Sequence, residues 1–159
     1  MAKLISIFFA ALLILVAAAC SDSSTNSNSG ALTMGTMKCK VDGSSWQSMN
    51  AMATKAGTNA INISGANYNI QTQVTETVSF TIVGSIVEGP SNNVSIAQYS
   101  VGSTSNPMGA TLYNSTSASI NITTVNDSEI SGTFSFTGST NAGASKNITE
   151  GQFRVKFVN

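Results

Sequence analysis

Phe153-Arg154-Val155-Lys156-Phe157 alternates apolar and charged residues without a break. A two-residue period of that kind is the signature of a half-buried β-strand. Successive side chains of a strand point to opposite faces, so the apolar residues would share a core and the two cations the solvent. Nearer the start of the chain, Cys39 and Val41 alternate with Lys38 and Lys40. Asp42-Gly43 follows, the pair that supplies the left-handed backbone of a tight hairpin.

The same period recurs between these two segments. A second strand is predicted from about Trp46 to Thr54, with Met49, Ala51 and Ala53 on one face. Trp46 is out of phase with that face, which calls for a bulge. Ile61 and Ile63 alternate before Gly65-Ala66-Asn67, read as a turn. Tyr68, Ile70 and Val74 share a face, as do Val78, Phe80 and Ile82 after a break at Thr75-Glu76-Thr77. Gly89-Pro90-Ser91-Asn92 is a loop signal. Val94 to Tyr99, Met108 to Tyr113 and Ala118 to Val125 extend the strand series, and Asn126-Asp127-Ser128 turns the chain into Ile130, Phe134 and Phe136. No stretch from Met37 onward carries a 3.6-residue period over ten residues. The class is therefore all-β: an antiparallel β-sandwich or β-barrel of about 8–10 short strands, the choice between the two being open.

What precedes this domain has a different character. Lys3 is followed by an apolar run through Leu15-Val16 that shrinks to Ala17-Ala18-Ala19 before Cys20. A positive start, an apolar stretch and small residues at its end form a secretory signal. Its roughly 15 apolar residues fall short of the roughly 20 that a membrane-spanning helix needs. Ala18 and Ala19 before a cysteine fit a lipobox, with Ala17 standing where leucine is more usual. Lipid on Cys20 would then hold the protein to a membrane, each buried methylene contributing about 0.8 kcal/mol. Ordinary signal cleavage after Ala17-x-Ala19 is the alternative. Residues 21–35, rich in Ser and Asn, have too few apolar anchors to offset their ordering entropy and read as a flexible tether. The expected organisation is a signal peptide over 1–19, lipidated Cys20 with a tether over 20–36, and the all-β domain over 37–159. Ser21 after the lipid cysteine, with Asp22 one place later, favours the outer membrane, the domain facing periplasm or cell surface.

Composition narrows the function classes. Only 9% of residues are charged, seven basic against seven acidic, and losing Lys3 with the signal leaves a formal charge of −1. No run of Lys and Arg suits a phosphate backbone, so nucleic acid is not an expected partner. The chain has no histidine, which removes the Ser-His-Asp and Cys-His arrangements and the HExxH zinc site. No cofactor or metal is implied. Asp127 and Glu129 are the only close carboxylate pair, and at a hairpin tip they read as a solvated turn rather than a catalytic pair. Calcium ligation by Asn126, Asp127 and Glu129 is disfavoured by having only two carboxylates. Cys39 reads as a buried small hydrophobe rather than a reactive thiol. Trp46 reads as a plug at one end of the core. Tyr68, Tyr99 and Tyr113 are candidate ligand contacts if their rings are exposed.

Three phrases carry a resemblance: Cys39-Lys-Val-Asp-Gly-Ser-Ser-Trp46, Ile130-Ser-Gly-Thr-Phe-Ser-Phe136 and Asn147-Ile-Thr-Glu-Gly-Gln-Phe153. In that order behind a lipobox, they resemble a family of exported Bacteroidota lipoproteins with a domain of unknown function. The resemblance runs from about Met37 to Phe157. A Gly-Thr-Tyr phrase expected mid-chain stands here as Ala97-Gln98-Tyr99. It implies an exported β domain and assigns no functional residue. The resulting expectation is a membrane-anchored lipoprotein whose non-enzymatic β domain binds or scaffolds at the cell envelope. The alternatives are a module binding carbohydrate or another small ligand, and a subunit of a surface assembly with an unknown protein or glycan partner.

Overall fold

A computed structural model describes residues 32–91 and 93–158. The expected signal peptide, Cys20 and the expected tether up to residue 31 lie outside the described residues. Among the described residues every regular element is a strand: β1 Thr36–Val41, β2 Ser44–Gln47, β3 Asn50–Lys55, β4 Ala60–Asn69, β5 Val74–Val83, β6 Gly89–Ser91, β7 Val94–Ser103, β8 Asn106–Ser115, β9 Ala118–Val125, β10 Glu129–Ser139 and β11 Ser145–Val158. They form one mixed, mostly antiparallel sheet in the order β2-β1-β11-β3-β4-β5-β7-β8-β10-β9-β6, with a further β10–β11 ladder. The exception to antiparallel pairing is β11 with β3, at Phe157↔Ala53 and Val158↔Thr54. Followed from neighbour to neighbour, β11, β3, β4, β5, β7, β8 and β10 lead back to β11, so the ladder closes on itself as in a barrel. The links at its two corners are narrow. One is the pair Ser139↔Asn114 between β10 and β8, the other the two pairs of β11 with β3.

The core fills the space inside that circuit. Phe80 of β5 meets Phe134 of β10 at a centroid distance of 5.1 Å and Phe153 of β11 at 5.4 Å. These tilted and edge-on rings join opposite walls of the sheet, in the geometry aromatic quadrupoles favour. Ile63, Val78, Ile82, Ile130, Ile148 and Val155 pack around them, fully buried. The alternation of Phe153, Val155 and Phe157 with Arg154 and Lys156 holds, and it extends back to Gly151. Glu150 takes a left-handed φ of 52° where the pairing register shifts. That bulge puts Ile148 on the same inner face as Phe153 although the two are an odd number of residues apart.

Several local expectations give way to tertiary constraints. The predicted strand from Trp46 to Thr54 is two strands. At Ser48 the chain leaves β1, where its N–H donates to the Met37 carbonyl and its hydroxyl accepts from the Met37 N–H at 2.9 Å. Met49 then donates to the Ala66 carbonyl and the chain joins β4. A crossing between partners thus replaces the bulge, and Met49, 73% exposed, does not share the buried face of Ala51 and Ala53.

Gly65-Ala66-Asn67 is not a turn but lies within β4, and the reversal falls at Ile70–Gln73. A Cβ on Gly65 would stand 3.0 Å from the Met37 Cβ and 3.1 Å from that of Ser48. The glycine serves close packing between layers rather than a change of direction. Ile70 consequently projects into solvent at 77% exposure. The supposed break at Thr75-Glu76-Thr77 is continuous strand, and Gly89-Pro90-Ser91 is a three-residue edge strand on β9. The turns at Asp42-Gly43, with φ of 48° and 82°, and at Asn126-Asp127-Ser128 are as predicted.

Removing the central ring tests this core. Phe80→Ala is expected to cost about 3–5 kcal/mol through lost transfer energy and an unfilled cavity. The urea unfolding midpoint reads it, and a midpoint close to wild type would refute the wall-to-wall role of Phe80.

Candidate functional site

Two sets of polar groups stand out, one inside the sheet and one outside it. The inner set follows from the continuity of β5. With Val78, Phe80 and Ile82 turned inward, Glu76 is turned inward too, two residues before Val78. Its carboxylate accepts a hydrogen bond from the Tyr99 hydroxyl. Tyr99, 3% exposed, has its ring 5.8 Å from that of Tyr113, its cross-strand partner. Burial first, and then the Glu76 carboxylate, push the Tyr99 phenol well above its ordinary range. Cys39 and Trp46 are paired across β1 and β2, each 5% exposed. Burial and the charge of Glu76 push the Cys39 thiol up to about 12. The Trp46 indole N–H is buried without a hydrogen-bond partner.

This group is a polar end to a mostly apolar core. A thiol held so far above neutrality is not a nucleophile. Among the described residues, no three His, Cys, Asp or Glu side chains converge as metal ligands. The tyrosines do not make one platform. Tyr99 and Tyr113 face inward, while Tyr68, 37% exposed, lies on the outward face of β4 opposite Thr75. A buried tyrosine needs a partner for its hydroxyl, and Glu76 supplies it. Asp127 and Glu129 have different surroundings: Asp127 is exposed at the turn, whereas Glu129 accepts from the Arg154 guanidinium at 3.2 Å.

The outer set lies across β2, β1, β11, β10 and β9. Cross-strand pairs Gln47↔Lys38, Lys38↔Gln152, Gln152↔Thr133 and Thr133↔Asn121 put five exposed polar side chains in one row. Three shallow depressions run along this face. The first, of about 350 Å³, is lined by residues 38–40 and 45–47 of the β1–β2 hairpin, Cys39 and Trp46 among them, and by Glu150 and Gln152 of β11. The second, of about 400 Å³, shares Glu150 and Gln152 and continues to Ser119 and Ser135, which border the third. Lys40 pairs with Glu150 at 2.7 Å on this face. At the hairpin beside it, Lys146 holds Asp42 at 2.7 Å. That hydrogen bond, reinforced by the Asn147 N–H, keeps the Asp42 carboxyl below its ordinary range, and Lys146 is raised in return.

A family model described as "Domain of unknown function (DUF6252)" matches residues 33–155. No curated protein and no solved structure matches the chain.

Two measurements check these environments. Cys39 is expected to resist alkylation by iodoacetamide in the native domain and to react fully in urea; rapid native labelling would contradict its burial. Asp42 has a folded pKa below the unfolded one. The stabilisation from its pair is therefore present above the ordinary carboxylate range and lost as pH falls through the lowered value. A carboxyl carbon titration by NMR should show a low midpoint for Asp42 that moves up in Lys146→Met.

Proposed function

The chain belongs to the family described as Domain of unknown function (DUF6252), and from that premise we propose that it is a non-enzymatic binding or scaffolding module of the cell envelope. In this reading, lipid on Cys20 behind Ala17-Ala18-Ala19 anchors it to the outer membrane, and the β domain stands off on a polar tether. The observation that supports binding is the outward row from Gln47 to Asn121. It is a continuous exposed surface of carboxamide, hydroxyl and ammonium groups beside shallow depressions. Such a surface offers many hydrogen-bond donors and acceptors to a ligand.

Anchoring is tested by fractionating cells that express the full chain and Cys20→Ala in parallel. The wild type should incorporate labelled palmitate and sediment with outer membranes, and Cys20→Ala should do neither. Equal behaviour of the two would remove the anchor from this reading. Turnover of esters, glycans or peptides by the purified domain at an ordinary enzymatic rate would remove the non-enzymatic part.

A second reading, a subunit of an assembly, has its own support. Strand β8 is paired with β7 along one edge, while among the described residues its other edge pairs only at Asn114. Unpaired N–H and C=O groups on such an edge can take a strand from another copy. Sedimentation equilibrium decides: reversible, concentration-dependent association favours assembly, and a monomer at every concentration rejects it.

A further inference from the structure

The six cations of the domain are Lys38, Lys40, Lys55, Lys146, Arg154 and Lys156, and all but Lys55 lie on β1 and β11. In sequence the two groups are separated by more than a hundred residues and form no basic run. The antiparallel register of β1 with β11, through Thr36↔Arg154, Lys38↔Gln152 and Lys40↔Thr149, brings them together. Lys38, Lys40, Arg154 and Lys156 alternate with buried Met37, Cys39, Phe153 and Val155 and therefore share the outer face. Two carboxylates answer them, Glu150 to Lys40 and Glu129 to Arg154. Among the described residues, Lys38 and Lys156 have no carboxylate within ion-pair distance. A domain with almost no net charge thus carries a locally positive face, and that face coincides with the polar row and its depressions.

We propose that this face binds an acidic polysaccharide chain, laid across the strands along Gln47, Lys38, Gln152, Thr133 and Asn121, with Lys38 taking a carboxylate of the sugar. This rests on the binding reading above and gives it a ligand class. Three features support a saccharide. Neighbouring strands are about 4.8 Å apart, so the row offers a polar side chain at each step. That repeat is comparable to the length of one pyranose unit. The outward groups are hydroxyls and carboxamides, which donate to and accept from sugar hydroxyls, and the excess positive charge selects for acidic units. The row also bears no apolar side chain to insert into lipid, which favours a hydrated polymer over a bilayer.

The test uses the soluble domain from residue 32 onward and affinity electrophoresis in gels containing polygalacturonate, alginate or neutral galactan. Vesicles containing phosphatidylglycerol are assayed alongside. Lys38→Gln and Gln152→Ala lie on the row, and Lys55→Gln, which keeps the same net charge as Lys38→Gln, lies on β3. All three positions are exposed, and an unchanged urea midpoint confirms the fold of each variant. Wild type should be retarded by at least one acidic polymer more than by galactan. Lys38→Gln should weaken that by about tenfold or more, Gln152→Ala less, and Lys55→Gln negligibly. Equal losses in Lys38→Gln and Lys55→Gln would mean unspecific attraction and overturn the proposal. So would vesicle binding without polymer binding, or no binding of either acidic polymer. Retardation by galactan that is indifferent to Lys38 would leave a binding module standing and sink only the acidic ligand class.

Discussion

Strand β11 is the constraint from which the rest of the domain follows. One of its edges runs along β10 from Glu129 to Ser139, and the other is divided between β1 and the end of β3. A strand with two paired edges must keep one face inward, yet the inward residues of β11 change parity between Ile148 and Gly151. The left-handed residue at Glu150 resolves this by resetting the alternation once. Ile148 and Phe153 then fill one core, and Phe80 reaches across to the Phe153 ring. Closure at the corner with β3 depends on the same strand continuing to Val158.

The interior polar group shows how such a closed sheet handles charge. Glu76 sits where the inner face nears the ends of β5 and β7, and Tyr99 gives it a hydrogen bond rather than leaving it against hydrocarbon. Glu76 is half-buried, and the Tyr99 hydroxyl satisfies the part of its carboxylate that is turned away from water. Cys39 lies in the field of that charge, which together with burial keeps its thiol protonated.

Much of the fold was legible because hydrophobic alternation survives tertiary assembly. The inward sets Val78-Phe80-Ile82 and Phe153-Val155 were readable directly, as were the Asp42-Gly43 and Asn126-Asp127-Ser128 turns. What could not be read depended on neighbours remote in sequence. Gly65 looks like a turn residue until Met37 and Ser48 are packed against it. Thr75-Glu76-Thr77 looks like an interruption because the Tyr99 hydroxyl that accepts Glu76 into the interior lies 23 residues away. Gly89-Pro90-Ser91 has loop chemistry, and only the edge of β9 makes it a strand. The outer face was the least legible part. Lys38 and Arg154 are neighbours through register alone, and alternation says only that each faces solvent.

The pairing of β1 with β11 also bears on how the chain acquires its structure. During synthesis, Lys38 is made long before Gln152, so β1 must wait through more than a hundred residues for its main partner. Contacts of such long sequence separation slow folding, because chain entropy is lost before the rewarding contacts form. The β1–β2 hairpin can close early, but a lone two-stranded ribbon is marginal in water. The closed sheet therefore forms only once the last strand is available, although β4, β5, β7 and β8 pair with near neighbours in sequence. Without residues 150–159, β11 would lose its pairs with β3 and the Phe153 ring would leave the core, while only the pairs from Ser145 to Thr149 would remain.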